Sequence, residues 1–249
     1  MKKIVEICCG SYEDAKNAYL GGADRIELNC ALSLGGLTPS IGTLRKVKND
    51  TKIKTIVILR HRAAGFCYTD DEYEVMLSEV RQLLENGADG IAFGFLKADN
   101  TIDEIRTKAV TNIVHSYNKE AVFHRAFDCV LNIDNAIKSL IEIKIDRILT
   151  SGNEENAFKG QSNIKYLVDN YGDNIEILVG AGVNENNVAE IIKNTGVYQV
   201  HSSCKTFNTD PTTKNERVSY SYLSGDNEMK YEVASLDKIK KLVKIVKEI

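Results

Sequence analysis

Short apolar runs recur along the chain, each followed by a longer stretch in which apolar side chains return every three or four residues. The runs are rich in Val, Ile and Leu and barely alternate, as parallel strands do when both faces are buried beneath helical crossovers. Eight such runs are predicted as strands over residues 3–8, 25–29, 54–60, 89–94, 121–125, 147–151, 176–180 and 198–201. Residues 70–86 show the crossover pattern, with Tyr73, Met76, Leu77, Val80, Leu83 and Leu84 forming one apolar stripe against a polar back. Two helix-to-strand turns read Gly22-Ala23-Asp24 and Gly87-Ala88-Asp89, where glycine is free to take the left-handed conformation that ends a helix. Eight βα units predict an α/β fold, a single (β/α)8 TIM barrel, rather than an open doubly wound sheet. Residues 205–235, polar and containing Pro211, are expected to form a long loop. Residues 236–249 place Leu236, Ile239, Leu242, Val243 and Val246 on one face and are expected to be the closing helix.

The length of 249 residues suits one such barrel as a single domain over 1–249. A core of this size needs no disulfide, and no apolar leader precedes the first strand, so the six cysteines are expected to be reduced thiols in a cytoplasmic protein. No run approaches the roughly 18 apolar residues of a membrane span. A formal net charge of -3 with interspersed signs, together with the absence of tryptophan, argues against nucleic acid as a partner. The first strand is followed by Cys-Cys-Gly-Ser-Tyr rather than a glycine-rich fingerprint, so no nucleotide cofactor is expected.

Polar residues at strand ends stand out against this background, because burying an ionised group costs several kcal/mol unless it is paired. Glu6 lies just before Cys8; Arg25, Glu27 and Asn29 alternate on one face of strand two; Arg60 and Arg62 end strand three; His124, Arg125 and Asp128 follow strand five; His201, Ser202 and Ser203 end strand eight. In a barrel these ends converge on one mouth, where barrel enzymes place their sites. Arg25 and Glu27 fit a structural ion-pair network as well as a ligand site. The loops carrying Gly180, Gly182, Ser202 and Ser203 occupy the positions where barrels cradle phosphate, and tight turns alone would also explain those glycines. His115 is expected on an exposed helix face. Of the adjacent Cys8 and Cys9, only Cys8 shares a face with Glu6.

The segments Glu6-Ile7-Cys8, Gly22-Ala23-Asp24-Arg25-Ile26-Glu27-Leu28, Gly35-Gly36-Leu37-Thr38-Pro39-Ser40, Phe123-His124-Arg125-Ala126-Phe127-Asp128, Leu149-Thr150-Ser151-Gly152, Gly180-Ala181-Gly182-Val183 and Val200-His201-Ser202-Ser203 together resemble the CutC family of copper homeostasis proteins. The resemblance runs in order from residue 1 to about 204 and is looser beyond. It implies a cytoplasmic homodimer or homotetramer that binds and handles Cu(I), and it adds Ser151 to the candidate site. It also implies a Cu(I) site of two cysteines, one ending each of the first two strands. Cys8 matches the first position; the second holds Asn29, with Cys30 displaced by one, which turns a strand side chain to the other face unless a bulge restores it. The metal candidates are therefore Cys8 and Cys30. The other function to weigh is an enzyme acting on a small anionic or phosphorylated metabolite. It would hold the anion with Arg60, Arg62, Arg125 and the last two loops, and move protons with Glu6, His124 or Asp128.

Overall fold

A computed structural model describes residues 2–249. The elements run β1 (Ile4–Cys9), α1 (Tyr12–Leu20), β2 (Arg25–Leu28), α2 (Ile41–Asp50), β3 (Lys54–Ile58), α3 (Asp70–Glu85), β4 (Gly90–Phe93), α4 (Glu104–Ser116), β5 (Glu120–Phe123) and α5 (Ile133–Ile143). They continue with β6 (Arg147–Thr150), α6 (Gln161–Tyr171), β7 (Glu176–Val179), α7 (Val188–Thr195), β8 (Gln199–Ser202), β9 (Lys205–Thr209), β10 (Lys230–Ala234) and α8 (Leu236–Glu248). Strands β1 to β8 pair in parallel and in sequence order, and β8 closes on β1. The (β/α)8 barrel read from the apolar runs is the fold.

Side chains alternate between two environments. Val5, Ile7, Cys9, Ile26, Leu28, Val57 and Ile91 point outward into the large core beneath the helices, whereas Ile56, Ala92 and Val122 form a small separate apolar cluster in the barrel's interior. Below that thin layer lies an ionic one: Arg25 pairs with Glu6 and donates to Gln199, and Arg147, 1% exposed, bridges Glu120 at 2.9 Å and Glu176 at 2.8 Å. Pairing of each charge is what makes such a layer tolerable, since an isolated buried charge is far more costly than a paired one.

The Asp of the helix-to-strand turns has a structural task. Asp24, Asp89 and Asp146, which precede β2, β4 and β6, each accept the backbone N–H at the start of the preceding strand: Val5 at 2.9 Å, Thr55 at 2.9 Å and Ala121 at 2.7 Å. A carboxylate thus clasps three strand pairs.

The segment expected as a long loop contains an antiparallel hairpin of β9 and β10, whose register runs from Lys205↔Ala234 to Thr209↔Lys230. Ala234 N–H donates to Asp14 Oδ1 at 2.7 Å, which ties the hairpin to α1. Helix α8, Leu236–Glu248, follows the hairpin. Among the described residues no helix is long and apolar enough to cross a membrane.

Candidate functional site

At the C-terminal ends of the strands lies a cavity of about 440 Å³ lined by Cys8, Glu27, Asn29, Arg60, His124, Arg125, Gly182, His201, Ser202 and Ser203, with Lys205 and Glu232 contributed by the hairpin. Its floor is a buried relay. Glu6 accepts from Arg25 on one side and meets His201 Nδ1 at 2.8 Å on the other. Glu6 thus occupies Nδ1 of His201 and leaves the second ring nitrogen available, and one donor atom each of Cys8, Glu27 and His201 lies within 4.8 Å of the others.

Asn29 joins two of them, its Nδ2 lying 3.1 Å from Glu27 Oε2 and 3.6 Å from Cys8 Sγ. This packing depends on Gly36, whose φ is +84 and where a Cβ would sit 2.4 Å from Asn29 Oδ1.

Charge states follow from these contacts. Burial alone would raise the Glu6 pKa, but Arg25 and then His201 reverse it and hold the carboxyl far below its ordinary range. Burial raises Glu27, reinforced by the Glu6 charge against the opposing pull of His201. Burial opposes protonation of His201, yet hydrogen bonding to Cys8 and Glu6 and the charge of Glu27 carry its pKa well above the ordinary value. Burial pushes the Cys8 thiol up, partly offset by His201.

The opposite wall presents donors. Arg60 gives its guanidinium to three backbone carbonyls, Leu34 at 2.9 Å, Gly36 at 2.8 Å and Ala64 at 2.6 Å. No carboxylate pairs with it among the described residues, so its charge is offset by these carbonyl dipoles and by the face of the Phe66 ring, 5.5 Å away. His124 Nδ1 accepts from Ala126 N–H at 3.2 Å, the tautomer with its proton on Nε2, and that buried Nε2 has no partner. Burial, then the Arg60 charge, lowers the His124 pKa to about 3, so the ring is neutral. The backbone N–H groups of Ala181, Gly182 and Ser203 also reach no acceptor among the described residues, and all three residues line the cavity.

Several candidates stand elsewhere. Arg25 lies below the floor in the ionic layer. Arg62 is paired with Glu72 outside the cavity, because β3 ends at Ile58 and the two arginines no longer share a strand face. Asp128 is saturated: it takes Arg125 at 2.7 Å, Thr150 Oγ1 at 2.6 Å, and the N–H groups of Ser151 and Asn153. Ser151 Oγ is spent on Asp128, Arg125 and Glu154 O, and Ser202 Oγ on Val183 O at 2.6 Å. Gly180 packs under His201, where a Cβ would sit 3.3 Å from the ring. Cys30 is turned away from Cys8: its thiol meets Thr38 O at 3.2 Å and its backbone bridges Leu37. No bulge restores it. The partner of Cys8 is the Glu27–His201 pair. Asn29 stands on the face of β2 that its alternation with Arg25 and Glu27 predicts, whereas the buried Arg147 is a structural residue that pattern reading did not supply.

The CutC family model matches residues 3–206. The chain belongs to the CutC family. A CutC family protein of Treponema denticola is 46% identical over 246 residues, covering 98% of this chain and 99% of its own. A human relative, named a copper homeostasis protein cutC homolog, is 35% identical over 247 residues, covering 99% of this chain and 90% of its own. Among solved structures, the putative copper homeostasis protein CutC from Streptococcus agalactiae matches with a TM-score of 0.76 at 29% identity, over 81% of this chain and 98% of that one. Phosphoribosyl anthranilate isomerase from Thermotoga maritima, with a TM-score of 0.58 at 14% identity over the full length of both chains, shares the barrel.

Proposed function

We propose that the mouth is an enzyme site for one small anionic metabolite, phosphorylated or carboxylated. One observation carries this reading: the N–H groups of Ala181, Gly182 and Ser203, after β7 and β8, lack acceptors on a cavity that is also lined by Arg60, whose charge no carboxylate among the described residues offsets. Loops at those two positions commonly cradle phosphate in barrels, and unpaired N–H groups are the chemistry an oxyanion satisfies. His124 offers a neutral N–H donor, and Glu27 with His201 offers groups for proton transfer. A thermal-shift series with inorganic phosphate and phosphorylated or carboxylated metabolites tests it, with chloride at matched ionic strength as control. A ligand at 100 times its Kd stabilises by about 2.7 kcal/mol. The expected result is a saturable shift that is lost in Gly182→Asp, which sets a carboxylate in the cradle at a φ that Asp tolerates. No shift, or an equal shift in the variant, refutes it.

The names of the relatives and the thiol in the mouth favour a second reading, cytoplasmic handling of Cu(I). A two-thiol site does not fit, because Cys30 points at Thr38 O. Cys8 with His201 is the remaining pair of soft and borderline donors. Titration of reduced protein against a Cu(I) chelator is expected to show one equivalent, lost in Cys8→Ser and kept in Cys30→Ser; retention in Cys8→Ser ends this reading. Assembly as a homodimer or homotetramer belongs to the same proposal and is read by light scattering.

A further inference from the structure

Three strands, β1, β2 and β8, deliver a thiol, a carboxylate and an imidazole to one corner of the cavity, with a donor atom of each within 4.8 Å of the others. We infer that Cys8, Glu27 and His201 form a site for a divalent cation of the zinc class, with one coordination position open to the cavity. The inference rests on the anion-site reading in one respect only: the metabolite's anionic group would complete the coordination shell.

Charge bookkeeping favours a divalent ion. A thiolate, a carboxylate and a neutral imidazole sum to minus two, which a divalent ion cancels, while Arg25 already balances Glu6 beneath. A single positive charge would leave a net anion in a pocket where Glu27 is 5% and His201 8% exposed. Linear Cu(I) coordination by two thiols has no second thiol here.

The surroundings orient the donors. Glu6 on His201 Nδ1 at 2.8 Å fixes the ring and leaves its other nitrogen for the ion, the carboxylate–imidazole arrangement that accompanies metal-bound histidine. Asn29 Nδ2, bonded to both Cys8 Sγ and Glu27 Oε2, turns these two donors toward one point. Backbone register holds them there, since Cys8 pairs with Glu27 and Glu6 with His201. A tetrahedral ion with metal–sulfur and metal–nitrogen distances of about 2.3 and 2.0 Å keeps its donors about 3.5 Å apart. The present separations are no more than 4.8 Å, so closure by about 1 Å at most completes the site. Three protein ligands beside a cavity are the arrangement of metal sites that keep a position for substrate or water.

The test is a Co(II) titration of chelator-stripped, reduced protein, followed by thiolate-to-cobalt charge-transfer and visible ligand-field bands. One equivalent per chain with both band sets, displaced by Zn(II), is expected. Cys8→Ser is expected to abolish the charge-transfer band, Glu27→Gln and Glu6→Gln to weaken binding by 10-fold or more, and Cys30→Ser to leave it unchanged. Inorganic phosphate is expected to shift the ligand-field bands by entering the open position. Uptake of Cu(I) without Co(II) or Zn(II) overturns the inference, as does a charge-transfer band that survives in Cys8→Ser. Phosphate stabilisation of a protein that takes up neither divalent ion also overturns it while leaving the anion-site reading standing. Divalent binding with no response to any anion supports the metal site and removes the anionic fourth ligand.

Discussion

His124 ties the donor wall to the stability of the whole barrel through pH. In the fold its pKa is lowered to about 3, whereas an unfolded histidine titrates near 6.5. Above pH 6.5 the ring is neutral in both states and contributes no difference. As pH falls below 6.5 the unfolded chain takes up a proton that the buried ring refuses, so stability drains away until the folded ring itself titrates. At pH 5 the offset amounts to about 2 kcal/mol and at pH 4 to about 3 kcal/mol, with each pKa unit worth about 1.4 kcal/mol. For a chain of this length 2 kcal/mol corresponds to roughly 4–8 °C in Tm. His124→Asn removes the titration and retains a side-chain oxygen for the Ala126 N–H. Urea unfolding of both proteins at pH 7.5, 6, 5 and 4 separates the effect from other acid-labile contacts. The variant is expected to lose about 2 kcal/mol less than the native protein between pH 7.5 and 5. Parallel losses in the two proteins would refute the assignment of a buried neutral imidazole.

Four further outcomes follow from named contacts. Arg147→Met leaves Glu120 and Glu176 without their common cation and is expected to cost about 3 kcal/mol in urea unfolding, at the low end for a broken buried pair because both carboxylates keep some solvent. Asp128→Asn weakens the hub that holds Arg125, Thr150 and Ser151; about 2 kcal/mol of stability should be lost by the same assay. Gly36→Ala forces a Cβ against Asn29 Oδ1 at positive φ, costing about 1–2 kcal/mol, and by dislodging Asn29 it should speed alkylation of Cys8 by iodoacetamide. Asn29→Cys sets a second thiol where Nδ2 now lies 3.6 Å from Cys8 Sγ, so Cu(I) affinity measured by chelator competition should rise at least 10-fold.

The barrel was legible because its strands are buried on both faces and therefore read as unbroken apolar runs, with errors of one or two residues at the ends. The hairpin was not. β9 is largely exposed, so Lys205-Thr206-Phe207-Asn208-Thr209 lacks the alternation that marks a half-buried strand. The mouth residues Glu6, Glu27, Arg60, His124 and His201 stood out as polar groups at strand ends, and they do converge. Which candidates were free was hidden, since that depends on distant partners: Asp128 is consumed by Thr150 and Ser151, and the terminal nitrogens of Arg60, though not its charge, by carbonyls of two loops. The one-residue offset of Cys30 was visible in register, whereas the inward role of Arg147 was masked because an arginine opening a strand looks like its solvated end.

The three aspartate clasps divide the barrel unevenly. β1 with β2, β3 with β4 and β5 with β6 are each locked at their base by Asp24, Asp89 and Asp146, but Tyr198 stands where a fourth aspartate would join β7 to β8. That last pair also shares only two register positions, Leu178↔Gln199 and Val179↔Val200. Local opening favours the segment with the fewest ties, so the seam between β7 and β8 is the barrel's natural line of breathing, and amide exchange there should outpace the clasped pairs. Its upper end carries the Ala181–Gly182 turn and His201, which puts the most yielding backbone of the barrel beside the groups that face the cavity.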